Sequence, residues 1–213
     1  MVNVHDDENT SVEAGLANLN IFGGRLIELV HSGERLVTFH LRGEKYSFDP
    51  NRIFSDAGIV DTLAKQSRYS PAAHAAIKSF AGQYLEYFVL DREPAIIALH
   101  NTVDGIFSAE SYAPSGYLGA NTAAIHVSPA RSKFDFFYVT DRRFYDYLAG
   151  RDFNVVLQDN DRVADDGSMS VYFARKKIPY INIEAEMSHL PEQIAMVNAA
   201  REMLEKLLPD SKP

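Results

Sequence analysis

Pro94-Ala95-Ile96-Ile97-Ala98-Leu99-His100-Asn101-Thr102 is the stretch whose reading decides the fold. An apolar run bounded by a proline reads as a strand buried on both faces. It stops at a histidine and two small polar residues, and Val103-Asp104-Gly105 follows as a turn signal. Open α/β sheets place their sites at the carboxyl ends of central strands. His100 is therefore either a satisfied core histidine or a metal ligand, and partners elsewhere in the chain decide which.

Working outward, Ser70 to Phe88 reads as a helix. Ser70 is an N-cap, Pro71 sits in the first turn, and Ile77, Phe80, Ala81, Tyr84, Leu85 and Phe88 share one face. A short helix is expected over Ile59–Lys65. Upstream, Val2-Asn3-Val4 is a short strand, and a helix from Asn9 or Thr10 to Leu19 ends at Gly23-Gly24. Arg25–Val30 and Arg35–Leu41 alternate like two strands of a hairpin turning at Ser32-Gly33. Gly43 to Asp56 reads as irregular. Beyond the central strand, Gly105–Gly119 reads as a long surface loop. Strands are expected at Ala123–Val127, Phe134–Val139, Phe153–Leu157 and Pro179–Ile183, the last closing on Glu184. Helices are expected at Asp141–Leu148, Ser168–Lys177 and Pro191–Leu208, the last through Ile194, Val197, Leu204 and Leu207. Asp159–Gly167 is a polar loop. Alternating strands and helices without a repeat or composition break argue for one α/β domain around a mixed sheet.

Bulk composition narrows the chemistry. The chain has 213 residues, 46% of them hydrophobic, with a formal net charge of -8. That balance opposes nucleic-acid binding, because no basic stripe is present to neutralise phosphates. Cysteine is absent, so a metal would have to be held by histidine and carboxylate, a donor set that suits catalytic zinc. No apolar segment reaches the length of a membrane span, and no signal-peptide pattern is visible. Cytoplasm is the default expectation, and the lack of cysteine suits the periplasm equally. The oligomeric state is not legible.

His-x-x-Glu can converge two ligands on one cation where a strand gives way to a helix. Three such pairs occur: His5/Glu8, His31/Glu34 and His189/Glu192. His31 and Glu34 bracket a turn, which favours a solvated loop. Glu192 reads as a first-turn acid at a helix start. His5 and Glu8 lie between a strand and a helix, the geometry a site needs. Asp49-Pro50-Asn51-Arg52 is either an ordinary turn or an anion clamp, since arginine offers a rigid fork to a carboxylate. Glu184, closing an apolar strand, is either a satisfied ion pair or a carboxyl with a raised pKa.

The order of these motifs resembles the zinc carboxypeptidase superfamily, and most closely its succinylglutamate desuccinylase and aspartoacylase branch. Leu99-His100-Asn101-Thr102 looks like that branch's Leu-His-Asn-Thr segment. Asp49-Pro50-Asn51-Arg52-Ile53-Phe54 looks like its Asp-Leu-Asn-Arg-x-Phe segment. Gly167-Ser168 followed by a helix and the strand into Ile183-Glu184 resembles the approach to the carboxypeptidase general base. The resemblance runs from His5 to Glu184, and residues 1–213 would then form one zinc-hydrolase-like domain. It implies a three-layer α/β/α fold around a mostly parallel mixed sheet, in which N-terminal strands usual to the family are missing. It implies zinc on His5, Glu8 and His100, with Glu184 as general base. Asn51, Arg52, Asn101 and Thr102 would bind substrate, and Arg42, slightly preferred to Arg35, would be the transition-state arginine. The implied reaction is hydrolysis of an amide in a small molecule or peptide with a free carboxylate, as in an N-acyl amino acid deacylase. Alternatives are a carboxypeptidase or cell-wall peptide amidase, and an inactive relative that binds a ligand or partner. Asp6 and Asp7 inside the first motif, and Pro50 in place of leucine, depart from the family pattern.

Overall fold

A computed structural model describes residues 1–103 and 105–209. Asp104, in the turn expected after the central strand, lies outside the described residues. The chain runs β1 (Val2–Asn3), α1 (Asn9–Phe22), β2 (Ile27–Glu28), β3 (Val37–Leu41), β4 (Glu44–Phe48), α2 (Asp56–Gln66), α3 (Pro71–Tyr87) and β5 (Ile96–Thr102). It continues through β6 (Thr122–His126), β7 (Phe136–Val139), α4 (Arg142–Ala149), β8 (Val155–Gln158), α5 (Met169–Arg175), β9 (Tyr180–Glu186) and α6 (Leu190–Leu207).

Seven strands form one sheet in the order β2-β1-β5-β9-β7-β8-β6. Neighbours β2, β1, β5 and β9 are parallel, as are β7 and β8; β7 opposes β9 and β6 opposes β8. The period-two alternation of strands sorts side chains between two cores. Ile96, Ala98 and Tyr180 face Ile59, Leu63, Ile77, Ala81 and Phe173 of α2, α3 and α5. Ile97, Leu99, Ile181 and Ile183 face Ala14, Phe144, Leu148 and Met196 of α1, α4 and α6. The result is a three-layer α/β/α sandwich with β5 and β9 at its centre. Among the described residues no helix is long and apolar enough to cross a membrane.

Local chemistry starts the helices where the sequence indicates. Ser70 Oγ accepts the Ala73 N–H at 3.0 Å, with Pro71 opening α3. Asp141 accepts the Arg143 N–H at 2.8 Å ahead of α4. At the other end of α1 the chain turns at Gly23 with φ 68, a conformation glycine adopts without penalty.

Four expectations are corrected. The segments 25–30 and 35–41 do not pair. Ile27–Glu28 joins the main sheet beside β1, whereas Val37–Leu41 pairs antiparallel with Glu44–Phe48 about Arg42-Gly43. Residues at φ 53 and φ 83 in that turn supply the backbone twist a tight hairpin needs. Accordingly, Gly43–Asp56 is not irregular, since it holds β4 and a 3-10 turn at Pro50–Arg52. Within Gly105–Gly119, Ala109–Tyr112 is a 3-10 turn with Ala109 and Ser111 buried, packed with Phe107 and Tyr112 on Phe136 and Tyr138. Finally, β9 does not end at Glu184 but runs to Glu186.

Candidate metal centre

His100 sits near the carboxyl end of β5, on the face that carries Ile96 and Ala98. The loop between β1 and α1 delivers His5 and Glu8 to the same place, because β1 is the parallel neighbour of β5. All three side chains are buried. His5 Nδ1 lies 2.9 Å from Glu8 Oε1 and 3.2 Å from His100 Nδ1, and His100 Nδ1 lies 2.9 Å from Glu8 Oε2. Zinc with Zn–N near 2.0–2.1 Å spaces tetrahedral ligands roughly 3.3 Å apart, so these donors stand at about the right separations. Among the described residues this is the group of histidines and acids whose ligand atoms converge closely enough to hold a metal.

The surroundings suit a cation too. His5 Nε2 is bonded to Asp49 Oδ1 at 2.9 Å. A carboxylate behind a ligating histidine fixes the ring and its tautomer. Arg35 reaches in, its Nη1 donating to Glu8 Oε1 at 2.7 Å with Nη2 3.7 Å from Asp49. Burial would lower the His5 imidazolium pKa, but the Glu8 and Asp49 carboxylates overcome it and raise the value to about 9. Burial would likewise raise Glu8, yet the facing His100 and His5 hold it well below the usual carboxylate range. His100 is lowered, chiefly by burial, and its Nε2 is buried without a partner.

Glu184 stands opposite His100 in the β5–β9 register and so shares its face. Burial first, and then the charge on Glu8, push the Glu184 carboxyl up to about 8, with Asn182 Nδ2 offsetting part of this from 3.3 Å. The fork between an ion pair and an elevated carboxyl resolves to the second. Tyr138 and Tyr180 lie on the same side of the sheet, and burial raises the pKa of both hydroxyls.

Asn51 and Arg52 follow Asp49, whose carboxylate also accepts the Asn51 N–H at 2.8 Å. Asn51 Oδ1 accepts the Met169 N–H that opens α5, at 3.1 Å. Arg52 Nε is 3.7 Å from Asp166, its Nη1 donates to the Asn51 carbonyl at 2.7 Å, and the side chain is 37% exposed. This turn is clamped by Gly58 and Gly167. A Cβ on Gly58 would stand 2.6 Å from the Arg52 carbonyl and 2.8 Å from Gly167 N, with Gly167 Cα closer still. Backbone cannot yield as a side-chain tip can. Gly58→Ala is therefore expected to cost about 1–3 kcal/mol in urea denaturation, and an unchanged midpoint would contradict the clamp.

Two of the expected positions fall elsewhere. Arg42 occupies the exposed turn of the β3–β4 hairpin, and the arginine at the cluster is Arg35. Asn101 is on the opposite face from His100, as alternation demands. Its Oδ1 accepts the Ser11 N–H at 2.8 Å, and its Nδ2 donates to Ala185 O and Gln193 Oε1 at 3.3 and 3.0 Å. Both ends of its amide are thus engaged on the reverse face of the sheet, away from His100. Thr102 does share the His100 face and is buried.

Asp6, inside the first motif, has a structural task. Its Oδ2 accepts the N–H groups of His31 and Gly33 at 2.6 and 2.7 Å, pinning the segment that leads to Arg35. Those bonds, Gly33's first, lower the Asp6 pKa. Their stabilisation is complete above the ordinary aspartate value near pH 4 and fades as pH falls through the lower folded-state value. Asp6→Ala is expected to lower Tm by roughly 2–4 °C at pH 7, with the gap from the parent protein closing in acid. His189, from the third pair, bonds Asp135 at 3.0 Å and stays outside the cluster.

No protein-family model and no curated protein matches the chain. Among solved structures, a "putative metallopeptidase" from Shewanella amazonensis SB2B is similar with a TM-score of 0.41 and 10% identity, covering 97% of this chain and 76% of that one. A likeness that loose assigns neither a family nor an activity.

Proposed function

We propose that the chain is a metal-dependent hydrolase of amide bonds, of the N-acyl amino acid deacylase type. The observation that carries this reading is the convergence of His5 Nδ1, His100 Nδ1 and the Glu8 carboxylate within hydrogen-bonding distance of one another. Two imidazoles and a carboxylate, with Asp49 behind His5, suit zinc with a position left open. When bound, the metal supplies Lewis acidity toward a carbonyl and a lowered pKa for water.

The remaining work falls to the chain's own groups. Glu184 takes a proton from the attacking water and returns it to the leaving nitrogen. Arg52, with Asn51 Nδ2 beside it, holds the substrate carboxylate and so orients the amide. Arg35 meets the negative charge that develops on the carbonyl oxygen. Thr102 lines the pocket next to His100.

Metal analysis of purified protein, followed by assay of an N-acyl amino acid panel beside a peptide panel, tests the reading. About one zinc per chain with release of a carboxylic acid from the N-acyl substrates is the expected result. Release of C-terminal residues from peptides alone would move the assignment to a carboxypeptidase. Protein that neither carries nor takes up metal would refute both and leave a binding protein.

A further inference from the structure

Asn101 turns away from the pocket into a buried polar network on the reverse face of the sheet. We propose that Gln193 and Ser11 are positioning residues that set the metal ligands from behind, Gln193 through His100 and Ser11 through Glu8. The inference rests on the reading that His5, Glu8 and His100 hold a metal.

Each link is a hydrogen bond between buried groups. Gln193 Nε2 donates to the carbonyl of His100 at 2.9 Å, and its Oε1 accepts from Asn101 Nδ2. Asn101 Oδ1 in turn takes the Ser11 N–H. Ser11 Oγ donates to the carbonyl of Glu8 at 2.8 Å and accepts from Asn3 Nδ2 at 2.7 Å. Asn3 Nδ2 also reaches the Leu99 carbonyl at 3.2 Å. Gln193, Ser11 and Asn3 are wholly inaccessible to solvent.

Position makes this more than filler. Gln193 lies on α6 among Met196, Val197 and Ala200, where an apolar side chain would pack without a polar group to satisfy. Burying an amide in that layer is costly unless every hydrogen bond is met. Here both ends of the Gln193 amide are met, and the bonds run to the main chain of one ligand and, through Asn101 and Ser11, to the main chain of another. His100 belongs to a strand and Glu8 to a loop. The network ties the main chain of the loop to that of the strand from behind the site. Groups behind a metal's ligands typically change affinity 10- to 100-fold when removed.

The test is zinc titration of chelator-stripped protein against a chromophoric chelator, with Tm read in the presence and absence of zinc. Gln193→Met keeps the length and bulk of the side chain while deleting both bonds, and should weaken zinc binding 10- to 100-fold. Ser11→Ala should weaken it about tenfold. In each the zinc-induced rise in Tm should shrink. A purely structural role predicts the contrary: Tm falls equally with and without zinc, and affinity stays within twofold of the parent. That pattern in either folded variant overturns the proposal. If Gln193→Met does not fold, Ser11→Ala decides. Parent protein that takes up no zinc would bring down the metal reading and this inference together, whereas tight variants beside a tight parent bring down this inference alone.

Discussion

Replacing His100 with alanine is expected to abolish stoichiometric zinc binding. In the proposed site three side chains supply the donors, and among the described residues no fourth histidine or acid joins the group whose ligand atoms converge. Losing one imidazole also leaves His5 held between the Glu8 and Asp49 carboxylates, an arrangement that favours a proton over a metal. Metal content after dialysis checks this, and retention of about one zinc per chain would sink the assignment. His31→Ala and His189→Ala alter the other two His-x-x-Glu pairs and should leave occupancy unchanged. The same logic fixes a pH dependence in the parent protein. A ligand must shed its proton before it binds metal, and His5 holds its proton up to about pH 9. Apparent zinc affinity should therefore rise about tenfold per pH unit toward that value and flatten above it. A profile flat from pH 6 to 8 would mean that His5 is not a ligand.

Strands and helices were legible wherever a long apolar run or a capped amphipathic face specified them, as at Ile96–Thr102 and Pro71–Tyr87. The β2–β4 region was not. Ser32-Gly33 and Arg42-Gly43 are both acceptable turn sequences, and the choice between them is made by long-range partners. Edge pairing with β1 takes Ile27–Glu28, and the Asp6 carboxylate holds the Ser32-Gly33 bend without any hairpin. That misreading carried the arginine with it. Which of Arg35 and Arg42 reaches Glu8 depends on where the hairpin turns, and local pattern does not encode that. Asn101 is a different case. Alternation along β5 already places residue 101 opposite residue 100, so its absence from the pocket was readable from the strand alone. Gln193 is not marked by the expected face through Ile194, Val197, Leu204 and Leu207; the structure turns the helix so that 193, 196, 197, 200 and 203 are among the buried positions. A glutamine at such a position needs a polar partner, which Asn101 and the His100 carbonyl provide. Asp49 reads from the sequence as part of a turn or an anion clamp, and the three-dimensional approach of His5 gives it a further task.

Glu184→Gln is expected to keep zinc and lose turnover by about 10²- to 10⁴-fold. The substitution preserves shape and removes the one property the proposed reaction needs from this residue, a carboxylate that can accept and release a proton. Its elevated pKa has two sources, burial and the negative charge of Glu8. A cation on Glu8 would neutralise the second source, so metal binding should ease deprotonation of Glu184 and ready it as a base. The stability of the metal-free protein offers an independent reading with a definite sign. An acid whose folded value exceeds its unfolded one binds the extra proton in the folded state, so its contribution to stability worsens as pH rises from about 4.3 to about 8. Glutamine has no such penalty. In chelator, Glu184→Gln should therefore equal the parent near pH 4.5 and exceed it progressively toward pH 8, as urea midpoints would show. A variant that loses activity without this pH-dependent gain would place Glu184 in contact with solvent or a counter-charge. One that keeps full activity would remove it from the reaction altogether.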